Sequence, residues 1–271
     1  SDSARRAITR LPSRRMAEID PARVEATLGG LDDLARRTLA LPRPGTPVAY
    51  YASLHLHAQL ELSDGVRAEL GAGRRHNSER LARHLWEYEI ELAWLLDEPD
   101  TRMPKIMARE AQHQTRLIRQ MSEAELDAFG PPELRDMFER HYEQAKADGN
   151  LPPNLSGMAE EINRGSHYKR NYRLLSGLSH PGISGTGGYV QVTGEDIAQA
   201  LVAPPALADI ELGRVPVTHR DASIVLFGTS MSLCSSLEAA SAILPVDMTD
   251  LKKLGASIDA ITEELAPEAT G

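Results

Sequence analysis

The sequence predicts an all-α protein: a single multi-helix bundle with a glycine-rich loop and at most a short extended segment. Three observations carry this. Aromatic residues are only 4% of the 271, while Ala and Leu are abundant, a mixture that favours helix and starves a sandwich or barrel. Apolar residues recur at helical spacing in segment after segment, each bounded by proline or glycine. Finally, no charged residue appears from Ala222 to Leu237, as expected for a helix without a solvated face at the centre of a bundle.

Residues 1–17 carry Arg5, Arg6, Arg10, Arg14 and Arg15 against one acid, Asp2, and read as a basic flexible arm. Residues 18–265 read as one helical domain without internal repeats, and 266–271 as a tail. Asp20 before Pro21 is an N-cap with proline at N1, and Val24, Leu28, Leu31 and Leu34 then give a first helix with Gly29 and Gly30 as a potential kink. The three prolines of residues 41–47 mark a connection, and 48–70 a second helix. Asn77 or Ser78 is the expected cap of a third, whose stripe is Leu81, Leu85, Tyr88, Leu92 and Leu95, with Arg83 and Glu87 paired on another face.

After an interruption at 97–101 another helix runs through Ile106 to Ile118, and Ser122 with Glu125 forms a capping box. Pro131 and Pro132 open a helix to about Lys146, and GNLPPN is a turn. Beyond residue 188 the pattern gives a short extended piece at 189–192, a short helix from Thr193, and an irregular, flap-like 203–216. The central apolar helix spans Thr218 to Leu244, ended by Pro245, and Asp247 or Thr249 caps the last helix to Glu264.

The net charge of −9 argues against non-specific DNA binding, since any nucleic-acid contact needs a local basic patch. Lone Cys234 reads as a buried, inert thiol. With no apolar leader and no stretch expected to cross a bilayer, a cytoplasmic protein with no membrane contact is expected. A di-iron site requires two Glu-x-x-His motifs, and Glu110 with His113 supplies one, beside Glu87 and Glu91 on the preceding helix; no metal and no cofactor are expected. His55 and His57 diverge on a helix and are assigned surface or core roles. The glycines after residue 181 form no dinucleotide or phosphate-loop motif.

The suggestive polar residues crowd into 163–188. Tyr168, Tyr172, Ser176 and His180 follow one another at i+4 steps, and Arg173 precedes His180 by seven residues, nearly two turns. Arginine, hydroxyl and imidazole then project from neighbouring turns of one helix, stopped by Pro181 and Gly182. One reading makes this face the floor of a small-molecule pocket of Tyr168, Tyr172, Ser176, His180 and Glu87, with Arg83 opposite and the glycine loop as lid. Another makes it the core network of an interaction module.

The Arg173-x6-His180 spacing resembles the signature of HEPN-type proteins, all-helical domains that include metal-independent endoribonucleases of toxin and defence systems. That resemblance implies a homodimer acting on RNA, with His180 moving a proton at the 2'-hydroxyl and Arg173 stabilising the phosphorane. Arg164, Lys169, Arg170 and Asn171 would lie along the substrate. Leu174 follows Arg173, where these nucleases usually place a polar residue. Arg83 to Glu87, Leu92 to Asp100, Tyr172 to Ser176 and Ser179-His180-Pro181 also look like an uncharacterised bacterial helical family, over about residues 83–188.

Overall fold

The computed structural model describes residues 20–123, 125–126, 130–165 and 219–265. Among these the chain forms eight helices and no strand: α1 Pro21–Ala40, α2 Pro47–Gly71, α3 Arg75–Asp97, α4 Pro99–Ile118, α5 Pro132–Ala147, α6 Leu155–Glu161, α7 His219–Ala240 and α8 Met248–Leu265. The protein is an all-α bundle. Local chemistry sets most of the starts. The Asp20 carboxylate accepts the Ala22 N–H at 3.0 Å, and the Thr46 hydroxyl accepts that of Ala49 at 3.2 Å, each satisfying a donor that a first turn leaves orphaned. Asp247 takes the N–H groups of Thr249 and Asp250, so it, and not Thr249, caps α8. Glu125 accepts from both the backbone and the hydroxyl of Ser122 at 2.7 Å.

Helix α7 is central, packing on α1, α2, α3 and α8. Leu226, Phe227, Leu233 and Leu237 are buried, together with Ser223, Thr229, Ser230, Ser232 and Ser236. The Thr229 and Ser230 hydroxyls donate to carbonyls one turn back at 2.9 Å, which satisfies these two polar side chains within the core. The stretch Ala222–Ala240 is long and apolar enough to cross a membrane by length and composition alone. Half of it is buried within this bundle. Each fully buried leucine contributes about 2 kcal/mol through apolar area removed from water.

Several boundaries depart from the sequence reading. Ile224 is 41% exposed, because α7 keeps one open edge. The same helix ends at Ala240 and not Leu244, where Ser241 and Leu244 turn back onto the carbonyls of Leu237 and Ala240. Neither Asn77 nor Ser78 caps α3, which begins at Arg75; Asn77 instead donates to Glu69 and Ser78 to the Arg75 carbonyl. The interruption at 97–101 shrinks to Glu98 alone, since Pro99 opens α4 directly. Gly29 and Gly30 do not break α1. A Cβ at Gly30 would lie 2.7 Å from Leu254 Cδ2, so this glycine marks close approach of α1 to α8. Helix α6, absent from the sequence reading, is capped by Asn154 accepting from Gly157 N–H at 2.9 Å.

Candidate functional site

Three helices place their polar side chains around one cavity of about 610 Å³. Helix α2 contributes Tyr51 and His55, α3 contributes His84, Glu87, Tyr88 and Glu91, and α4 contributes Arg109. Tyr51 with His55, and Glu87 with Glu91, are four residues apart, so each pair shares a helix face. Leu54, Ala58 and Leu155 supply apolar wall.

Glu91 is the hub. Its Oε1 accepts from the Tyr51 hydroxyl, from Arg109, and from His55 Nε2 at 3.2 Å. Arg109 also donates to the Tyr51 oxygen at 3.3 Å. Burial alone would raise the Glu91 pKa, but the hydrogen bonds from His55 and Arg109, the Arg109 charge and the Tyr51 hydroxyl outweigh it and hold the carboxyl down at about 2. Burial and the adjacent carboxylate push the Tyr51 phenol the other way, so it stays a neutral donor.

With Glu91 ionised, its bond to His55 calls for an N–H at Nε2, and in the neutral imidazole the other nitrogen, Nδ1, then carries the lone pair. His55 is 5% exposed. It is held between Tyr51, 4.3 Å away centroid to centroid, and Tyr88, edge-on at 5.0 Å. This is a carboxylate-oriented imidazole in an aromatic sleeve, a geometry suited to taking and returning a proton.

Arg83 and Glu87 pair as expected, at 2.9 Å, and His84 Nδ1 lies 3.2 Å from the other Glu87 oxygen. Glu87 lines the cavity, while Arg83 holds it from behind. Arg164, which the sequence reading set along a phosphate, donates to buried Glu89 and so is engaged in an internal ion pair. Tyr168, Lys169, Arg170, Asn171, Tyr172, Arg173, Ser176 and His180 lie outside the described residues, as do the glycine loop, the 189–192 piece, the Thr193 helix and the 203–216 segment. Among the described residues no cluster of three His, Cys, Asp or Glu side chains is arranged to hold a metal ion; Glu110 bonds Gln114 instead.

Sequence reasoning missed His55, Tyr51 and Arg109. His57 is exposed beside Glu61, so the two histidines do diverge, but the buried one joins the site. Tyr51-x3-His55 facing Glu87-x3-Glu91 was the available signal.

The model of a family of unknown function, DUF5677, matches residues 49–197, more than half of the chain. The chain belongs to the DUF5677 family. Every residue that lines the cavity falls inside the matched span, whereas α1, α7 and α8 lie outside it. The DUF5677 match brings no reaction and no HEPN affiliation with it. Neither curated proteins nor solved structures give a match.

Proposed function

We propose that the cavity between α2, α3 and α4 binds a small, uncharged polar ligand with a planar ring, and that His55 transfers a proton on it. The carrying observation is the Glu91–His55 pair, buried yet lining a cavity of about 610 Å³, within the volume range of small-molecule sites. The two carboxylates there, Glu87 and Glu91, are matched by Arg83 and Arg109, so a polyanion gains little from entering. Exposed Tyr88 offers ring surface, and Glu91, Glu87 and His84 offer hydrogen bonds. His55 Nδ1 would accept the ligand's proton while Glu91 stabilises the resulting imidazolium. This cavity shares Glu87 with the pocket of Tyr168, Tyr172, Ser176 and His180 that the sequence suggested.

The test is a ligand screen of the full chain with nucleosides, nucleobases and aromatic amides, their charged nucleotide or acid counterparts as controls. Saturable binding of an uncharged member, weakened at least tenfold in His55→Asn and Tyr88→Ala, supports the reading. No binding, or binding indifferent to both substitutions, removes it.

A second reading rests on the Arg173-x6-His180 spacing: metal-independent cleavage of RNA by a homodimer. It runs through residues other than this cavity. Wild type, Arg173→Ala and His180→Ala would be incubated with total RNA in chelator. Cleavage by wild type alone supports it, and cleavage by none or equally by all ends it.

A further inference from the structure

We propose that a second cavity, between the end of α4 and the start of α5, is a binding site for a small oxyanion, a phosphoryl or carboxylate group. The cavity holds about 320 Å³ and is lined by Thr115, Arg119, Arg135, Asp136 and Glu139 with Ile118 and Pro132. Two of its donors are buried and unused. Thr115 is 2% exposed, and its hydroxyl has no hydrogen-bond partner. The Nε of Arg135 is likewise buried without one, and among the described residues no carboxylate pairs with this guanidinium. A buried hydroxyl or guanidinium N–H left without an acceptor is destabilising, so the fold retains two donors that a ligand acceptor would satisfy.

The neighbouring groups leave that surplus intact. The Thr115 hydroxyl does not turn back onto a carbonyl of its own helix, as Thr229 does onto that of Val225. Glu139, one turn beyond Arg135 and its natural i,i+4 partner, is drawn instead to Arg119 at 2.7 Å, with Glu143 at 3.7 Å from the same guanidinium. Arg135 therefore keeps an unpaired guanidinium in a cavity that also holds an unused hydroxyl donor, and a planar guanidinium with an O–H lining the same space suits an oxyanion. Asp136 is exposed and lines the same cavity; its charge opposes the ligand and sets a modest affinity.

The experiment titrates inorganic phosphate and, separately, acetate into the full chain at constant ionic strength, by calorimetry and by following the Arg135 Nε–H resonance. The expected result is saturable binding of at least one anion. Binding should weaken at least tenfold in Arg135→Gln, several-fold in Thr115→Val, and tighten in Asp136→Asn. Phosphate alone would assign a phosphoryl group, acetate alone a carboxylate. Thr115→Val preserves side-chain shape, so it reads the site even if Arg135→Gln unfolds. Absence of saturable binding to wild type, or equal binding by wild type and Thr115→Val, overturns the proposal.

Discussion

The guanidinium of Arg164 donates to the buried carboxylate of Glu89, tying the chain just past α6 to the middle of α3. Ser232 and Ser235 of α7 face the same carboxylate and favour its ionised form, so three elements meet on one acid. Burial nonetheless dominates and pushes the Glu89 carboxyl up to about 7, against the opposing Arg164 charge and the serine hydroxyls. Its proton is thus held more tightly in the folded state than in the unfolded chain. The associated stability is full below an ordinary glutamate pKa and is lost as pH rises through about 7. Between pH 5 and 8 the wild type should lose stability from this group, on the order of a few kcal/mol at most. Glu89→Gln, which mimics the protonated acid, should flatten that slope, as read by urea unfolding across the range. An unchanged slope in the variant would refute the assignment.

Glu91 behaves oppositely. Its carboxyl is held at about 2, below its unfolded value, so the stability it brings is present above about pH 4.5 and disappears as pH falls toward 2. Glu91→Gln keeps the shape but leaves Arg109 and His55 with a weaker acceptor. A loss of about 1–3 kcal/mol at pH 7 is expected, shrinking as the wild type approaches pH 2. Tyr51→Phe removes a single donor to the same oxygen and should cost about 1 kcal/mol. Parallel urea titrations at pH 7 and 3 separate these outcomes from a general loss of packing.

Much of the bundle was legible because its signals are local. Asp20-Pro21, Ser122-Glu125 and Pro131-Pro132 act within one turn of chain, and the Leu85, Leu92, Leu95 stripe is buried by its own periodicity. The site was less so. Tyr51, His55, Glu91 and Arg109 come from three helices spread over 59 residues of sequence, and nothing in any one helix shows which faces will meet. In the sequence His55 stands out only beside its neighbour His57, and Glu91 only as a metal ligand, although each sits one turn from another member of the cavity. Arg164 reads as a solvated cation for the same reason: its partner Glu89 lies 75 residues away.

The two adjacent glycines of α1 should respond differently to a methyl group. A Cβ at Gly29 would meet nothing within 4 Å, so Gly29→Ala gains only the helix propensity and lost unfolded-state freedom of alanine, about 0.5–1 kcal/mol. At Gly30 the Cβ would press on Leu254 Cδ2 at 2.7 Å. That atom is the end of a flexible side chain, so Leu254 can shift at some cost and the gain should shrink toward zero or reverse. Thermal unfolding of both variants tests this; equal stabilisation would mean that α1 and α8 do not approach as closely as described.

The central position of α7 predicts a sharp contrast along its length. Leu233 is 0% exposed and Ile224 is 41% exposed, although both belong to the uncharged stretch that the sequence places at the centre of the bundle. Truncating Leu233 to Ala removes apolar contact on all sides and leaves a cavity that close packing cannot fully collapse, at a cost of about 2–5 kcal/mol. Truncating Ile224 removes surface that water already reaches, so Ile224→Ala should stay within about 1 kcal/mol of wild type. Residue 224 also lies outside the matched family span, while the cavity lies within it, so neither truncation should alter binding at the cavity while the protein remains folded. Urea midpoints of the two variants decide the first point. If Ile224→Ala costs as much as Leu233→Ala, α7 is rotated relative to this description and its open edge is instead covered.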